Sequence, residues 1–231
     1  MVIAGLQKLT LLDYPGYTAC TIFTKGCNFR CHFCHNSALV ENKPSEIISE
    51  AEVFDFLQSR RGKLDGVCIS GGEPTLQSDI CEFASKIKDM GFLVKIDTNG
   101  SNFEVLKALV QNKLCDYVAM DIKTSLANYS KIAGAEVDVS EIQKSISFLL
   151  SSNVPYEFRT TVVHPYHWAQ DFYDIAKLIA GAEKYYLQQF KDSGAVLDAG
   201  CSAYNAKEMQ EFLQIVKNNG VTNAFIRGMD L

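Results

Sequence analysis

Short apolar runs alternate with stretches of helical spacing along nearly the whole of this chain, and that rhythm restricts the fold more than any other feature. The runs at 18–24, 66–70, 93–97, 117–121, 157–163 and 184–187 read as strands, being brief and bounded by turn residues or loops. Helices are expected between them. One follows the capping box Ser49-Glu50-Ala51-Glu52 and ends before Gly62, and another covers 80–90 and is stopped by Gly91. Further helices fit 103–112, 139–150 and 169–179, and a last one is capped at Asn205-Ala206-Lys207-Glu208 and runs to 219. A seventh strand fits 221–227, and a longer connection, 122–138, contains Gly134. Repeated strand-then-helix order argues for parallel βαβ units. Six such units plus a strand fall short of a closed (β/α)8 barrel, which typically takes about 250 residues. An open, partial barrel or a doubly wound sheet remains. No Gly-x-Gly-x-x-Gly follows the first strand, which weighs against a dinucleotide-binding fold.

The chain has 231 residues, and length alone allows one large domain or two small ones. A single domain over 1–231 is expected, with no need of disulfides to complete its core. Apolar residues near the start, Leu6, Leu9, Leu11 and Leu12, are interrupted by Gln7, Lys8 and Thr10, and no cleavage site for a secretory signal follows. No apolar run approaches the roughly 20 residues that span a bilayer, so a cytoplasmic protein without membrane partners is expected. The 22 basic and 27 acidic residues leave a net charge of −5. With no basic run longer than Arg60-Arg61, nucleic-acid binding is not expected.

Three of the eight cysteines fall in one loop directly behind the first expected strand, Lys25-Gly26-Cys27-Asn28-Phe29-Arg30-Cys31-His32-Phe33-Cys34-His35-Asn36. Thiolates spaced Cys-x3-Cys-x2-Cys select zinc, copper or an iron–sulfur cluster over hard cations. Structural zinc sites are closed by four protein ligands, and no second Cys-x2-Cys pair exists among Cys20, Cys68, Cys81, Cys115 and Cys201. His32 or His35 as fourth ligand would give a zinc knot, the reading of a zinc-stabilised interaction protein. A [4Fe–4S] cluster takes one ligand per iron, and three cysteines leave one iron open to a small molecule.

Cys-x3-Cys-x-aromatic-Cys, with Phe33 as the aromatic residue, resembles the signature of radical S-adenosylmethionine (SAM) enzymes. The continuation Cys34-His35-Asn36 is similar to the activating enzymes of glycyl radical enzymes. That resemblance implies a partial (β/α)6 TIM-like barrel. It also implies a cluster on Cys27, Cys31 and Cys34, and SAM on its fourth iron beside Phe33 and His35. Asp13-Tyr14-Pro15-Gly16, by composition a surface turn, extends the likeness.

Working residues of β/α barrels lie at the carboxyl ends of strands. Here those ends carry the cysteine loop, Gly71-Gly72-Glu73-Pro74, Asp97-Thr98-Asn99-Gly100, Asp121-Ile122-Lys123, His164-Pro165 and Gln188-Gln189. Adjacent glycines allow close approach to backbone, and a glutamate accepts hydrogen bonds from an ammonium group. By the resemblance, Gly71, Gly72 and Glu73 hold the SAM amino group, and Thr98 and Asn99 lie beside its ribose and methionine portions. Asp121, Lys123 and Arg159 complete the cofactor site in the same reading. The bland readings are a strand-to-helix turn, an Asx turn, a surface ion pair and an interior polar residue. The histidine that a pyruvate formate-lyase activase carries near the sixth strand end is replaced by Leu187-Gln188-Gln189-Phe190. His164 and His167 have no carboxylate partner at fixed spacing, and no side chain is assigned an acid–base catalytic role.

The resemblance is closest to the activating proteins of anaerobic ribonucleoside-triphosphate reductase. It implies an oxidoreductase that cleaves SAM reductively and makes a glycyl radical on that reductase, with flavodoxin or ferredoxin as electron donor. Pyruvate formate-lyase activation and radical chemistry on a small molecule are the alternatives.

Overall fold

The apolar runs pair in chain order. The computed structural model describes residues 1–40, 46–192, 194 and 196–229, and its strands β1 to β8 form one sheet in sequential order. The sheet has β1 and β8 at its two ends and is not closed, as expected for a partial barrel. The chain divides into two compact units. The first comprises Met1–Asn28, Ala38–Thr98 and Asn102–Ala119, and the second Phe29–Ser37, Asn99–Ser101 and Met120–Leu231.

In the first unit β1 (Ile3–Thr10) runs antiparallel to β2 (Ala19–Thr24), while β3 (Gly66–Gly71) and β4 (Leu93–Thr98) continue the sheet in parallel. Strand β1 was not expected from its sequence. Gln7 and Lys8 break the apolar pattern, which the strand tolerates because it lies at the end of the sheet with its middle exposed. The short helix α1 (Ser37–Val40) follows the cysteine loop. Helix α2 (Glu50–Ser59) begins at the expected capping box, in which Ser49 Oγ accepts from Glu52 N–H at 3.2 Å and the Glu52 carboxylate accepts from Ser49 N–H at 2.9 Å. Helices α3 (Ile80–Asp89) and α4 (Phe103–Gln111) bury Phe83, Ile87, Leu106 and Leu109. Cys20, Cys68 and Cys115 are core residues.

The Asp13-Tyr14-Pro15-Gly16 turn is more than a surface turn. Tyr14 is only 1% exposed and packs with Ala19, Tyr117 and Leu93, its ring 5.0 Å from that of Tyr17 and 6.1 Å from that of Tyr117. Asp13 accepts from Thr21 Oγ1 at 2.6 Å, which anchors the turn to β2.

The second unit holds the end of β5 (Tyr117–Asp121) and the parallel strands β6 (Tyr156–Val162), β7 (Tyr185–Gln189) and β8 (Ala224–Arg227). A short helix, α5 (Tyr129–Ala133), interrupts the connection read as 122–138. It ends at Gly134, whose φ of 61° is a left-handed cap, and a Cβ there would stand 2.3 Å from Arg30 O. The end of α5 therefore abuts the cysteine loop. Helices α6 (Val139–Ser151), α7 (Ala169–Leu178) and α8 (Ala206–Asn218) follow, the last with its expected cap. Among the described residues no helix is long and apolar enough to cross a membrane.

Candidate functional site

The start of the cysteine loop is fastened to the backbone of the glycine pair. Gly72 N–H donates to Thr24 O at 2.9 Å, Glu73 N–H to Gly26 O at 2.8 Å, and Gly26 N–H to Leu39 O at 2.9 Å. A Cβ on Gly72 would lie 2.0 Å from Gly26 O, and one on Gly71, at φ 117°, 2.3 Å from Thr24 N. The space left by these glycines is thus taken by the chain's own backbone, immediately before Cys27. Glu73 is 1% exposed, and its Oε1 accepts from Thr75 N–H at 3.1 Å, Thr75 Oγ1 at 2.6 Å and Thr98 Oγ1 at 2.7 Å. Two residues named from sequence, Glu73 and Thr98, are therefore directly bonded. Thr75, which holds the carboxylate from two sides, was not singled out. Asn99 Oδ1 accepts from Ser101 N–H at 2.9 Å, an Asx turn, and Ser145 Oγ fixes Gly100 O at 2.8 Å.

The remainder of the loop is held by the second unit. Arg30 N–H donates to Ala133 O at 2.7 Å, Cys34 N–H to Cys31 O at 3.0 Å, and Asp198 N–H to His32 O at 2.9 Å. Phe33 is buried among Ile132, Val163, Phe190 and Cys201, and His35 stacks on Phe190 at 5.4 Å. His32 stacks on Tyr166 at 4.9 Å, and Tyr166 donates its hydroxyl hydrogen to Asp198. These packed aromatics fix the turns between the cysteines while the thiols stay unbridged. Burial pushes the Cys31 thiol up, and the Lys123 ammonium opposes that shift. Burial also lowers the His35 pKa. Among the described residues no group of three or more His, Cys, Asp or Glu side chains is arranged around one point.

Asp121, Lys123 and Arg159 come together as an ionic triad. The Asp121 carboxylate accepts from Arg159 Nε at 2.9 Å and from Lys123 Nζ at 3.1 Å. The backbones are tied as well, through Ile122 N–H to Arg159 O at 2.7 Å and Thr160 Oγ1 to Ile122 O at 2.7 Å. Burial alone would raise the Asp121 carboxyl, but Arg159 and then Lys123 outweigh it and hold the group at about 2. Lys123 is pushed above its ordinary value, since Asp121 and the Cys31 thiol overcome the opposing effect of burial. A carboxyl with a depressed folded pKa stabilises above its unfolded pKa of about 4, and the contribution is lost as pH falls toward 2. Asp121→Asn should therefore lower stability at pH 7 by about 2 kcal/mol, the low end of the linkage figure because the side chain is 30% exposed. Urea midpoints should converge with those of the wild type between about pH 4 and pH 2. A constant gap would mean that the ion pairs do not set the effect.

His167 is fully buried and neutral in role. Its Nδ1 accepts from Val163 N–H at 3.1 Å, and its Nε2 lies 2.7 Å from Lys123 O, the geometry of a donated hydrogen bond. Burial lowers its pKa. Asp171, which sequence reasoning missed, accepts from Ser125 Oγ at 2.7 Å, Asn128 Nδ2 at 2.9 Å and Thr124 Oγ1 at 3.2 Å, and so stiffens the chain just beyond Lys123. The signal available was an aspartate at the start of a helix opposite a Thr-Ser-x-x-Asn turn. His164 pairs with Ser202 and meets Trp168 and Tyr204 edge-on. Gln189 Nε2 donates to Tyr204 O at 2.9 Å.

Fold and strand ends define an α/β protein with a largely parallel sheet, in which the cysteine loop, the glycine pair and the Asp121–Lys123 pair each lie at the end of a strand. Residues 21–179 match the model of the radical SAM superfamily, and the chain belongs to that family. A protein of Methanocaldococcus jannaschii named as a glycyl-radical enzyme activating enzyme is 39% identical over 201 residues, covering 84% of this chain and 82% of its own. A pyruvate formate-lyase-activating enzyme of Listeria monocytogenes is 31% identical over 136 residues, 52% of either chain. Among solved structures, Streptococcus suis SuiB bound to S-adenosylmethionine has a TM-score of 0.68 at 15% identity. That match covers 88% of this chain and 48% of SuiB, and it speaks to the fold alone.

The donor set suits the family's cofactors. Cys27, Cys31 and Cys34 are unbridged thiols, the soft donors that an iron–sulfur cluster takes, and Lys123 favours the thiolate of Cys31.

Proposed function

We propose that this chain is a radical SAM activase that installs a glycyl radical on a partner enzyme, the anaerobic ribonucleoside-triphosphate reductase. The observation that carries the activase reading is the relationship to the Methanocaldococcus jannaschii protein, which extends over most of both chains. Cys27, Cys31 and Cys34 would each ligate one iron of a [4Fe–4S] cluster. When bound, the cluster supplies the electron that cleaves SAM to methionine and a 5′-deoxyadenosyl radical, which takes hydrogen from a glycine Cα. Glu73, oriented by Thr75 and Thr98, would accept from the SAM ammonium, while Gly71 and Gly72 would offer backbone and Thr98 and Asn99 would flank the ribose and methionine. Lys123 would balance thiolate charge, Asp121 aligns Lys123 with Arg159, and Arg159 would hold the SAM carboxylate. Phe33 and His35, immobilised by their ring partners, shield the loop from water and side reactions. The whole chain acts as one domain in the cytoplasm, with a flavodoxin or ferredoxin as one-electron donor.

Pyruvate formate-lyase is the second partner reading, favoured by the Listeria monocytogenes relative over half of the chain. The test supplies reduced, reconstituted protein with SAM and either reductase or lyase from the same cell. A glycine-centred radical seen by electron paramagnetic resonance, formed in step with 5′-deoxyadenosine, is expected on the reductase. Radical on the lyase alone would reassign the partner. SAM cleavage without radical on either would favour a small-molecule substrate, and stoichiometric zinc without iron would favour the interaction protein.

A further inference from the structure

Strands β6 to β8 bury one face and leave the other partly open. Tyr156, Phe158, Thr160 and Val162 on β6 and Tyr185 and Leu187 on β7 are buried, whereas Arg159, Thr161, Tyr186 and Gln188 are half-buried. Residues two apart on a strand share a face, so Glu157 lies with Arg159, and Tyr186 with Gln188. Arg227 joins this set from β8. Its Nη1 and Nη2 donate to Glu157 Oε1 and Oε2 at 2.9 and 3.1 Å, and its guanidinium lies 3.6 Å from the centre of the Tyr186 ring. Glu157 is 1% exposed and Arg227 34%.

This arrangement is costly for a joint between strands. Glu157 is buried and Arg227 half-buried, so desolvation of the carboxylate works against the stability the pair adds, whereas the two-point geometry does immobilise the guanidinium. A guanidinium has five N–H donors, of which Glu157 takes two; the other three have no partner among the described residues. Gln188, the register partner of Arg227, brings an amide donor and a carbonyl acceptor to the same face. Asp121, Lys123 and Arg159 continue it, giving three cations against two carboxylates. Flanking carboxylates disfavour a polyanion. Donors beside an amide match the alternating C=O and N–H of a peptide.

We propose that Arg227, set by Glu157 and Tyr186, together with Gln188 binds the backbone of an extended peptide segment of the substrate protein. The inference rests on the activase reading, and names the part of the site that receives the partner rather than SAM. Arg227→Lys keeps the charge but loses the planar fork and its fit to Glu157. Arg227→Gln removes the charge. With reconstituted holoprotein and the anaerobic reductase, both should raise the KM for reductase about tenfold or more, as expected for loss of a charge-assisted hydrogen bond, with kcat little changed. SAM affinity by calorimetry and 5′-deoxyadenosine formation without partner should stay at wild-type values. An unchanged KM in folded Arg227→Lys would overturn the proposal and leave Arg227 as a tie between β8 and β6. Weakened SAM affinity would overturn it too, by assigning Arg227 to the cofactor. If wild-type protein activates only pyruvate formate-lyase, the same KM comparison is made with that enzyme; if it activates neither, this inference falls together with the activase reading.

Discussion

Alanine at Cys27, Cys31 or Cys34 is expected to leave anaerobically reconstituted protein colourless and without iron, where the wild type should hold about four irons per chain. In the proposed cluster each thiolate would serve a different iron, so no partial occupancy would compensate for the loss of one. The loop itself should survive the change. Its backbone is fixed by Arg30 to Ala133 and Asp198 to His32, and its aromatics by Phe190, Tyr166 and the Val163 cluster, none of which involves the thiol of Cys27, Cys31 or Cys34. Far-ultraviolet circular dichroism of the Cys31→Ala protein should match the wild type, while SAM cleavage disappears. Cys68→Ala is the control, because Cys68 is fully buried in β3 and should change stability without touching iron content. Iron retained by all three loop variants, or lost equally in Cys68→Ala, would defeat the ligand assignment.

Valine at Gly72 should be nearly as damaging, and for a reason that lies in packing. From sequence alone the glycine pair invites a ligand to its backbone, which would confine the damage to SAM affinity. In the folded chain the missing Cβ faces Gly26 O, 2.0 Å from where that atom would stand, and Glu73 N–H is bonded to the same oxygen. Backbone against backbone cannot yield by a rotamer change, so the loop origin must move. Gly72→Val is expected to cost about 3 kcal/mol or more in urea unfolding, and to reduce iron uptake because Cys27 follows directly. Even Gly72→Ala should be measurably unstable. Glu73→Ala separates the two effects, since it leaves Gly26 undisturbed and should weaken SAM binding with iron intact. If Gly72→Val proves as stable and as iron-replete as the wild type, the close approach to Gly26 does not hold the loop.

Much of this molecule could be read from its residues. Strands 66–71, 93–98 and 117–121 were legible because β-rich apolar runs punctuated by Gly and Asx turns have few other uses. Ser49 and Asn205 announced their helices through side-chain chemistry that acts within a single turn. The cysteine loop, Gly71 to Glu73, and the Asp121 to Lys123 pair were visible because they are local in the chain. What stayed hidden depends on partners far away in sequence. Strand β1 exists because β2 offers it an edge, so its own polar residues carry no signal. Tyr14 sits in a turn by composition and becomes core only because Tyr117 arrives 103 residues later. The bond between Glu73 and Thr98, the seat of Asp121 between Lys123 and Arg159, and the clamp of Glu157 on Arg227 all join separate strands or a strand end to its neighbour. Local spacing determines which side chains a strand end presents. Only strand order and register decide which of them meet, and a hydrogen bond or ion pair forms over a few ångströms of space whatever the distance along the chain.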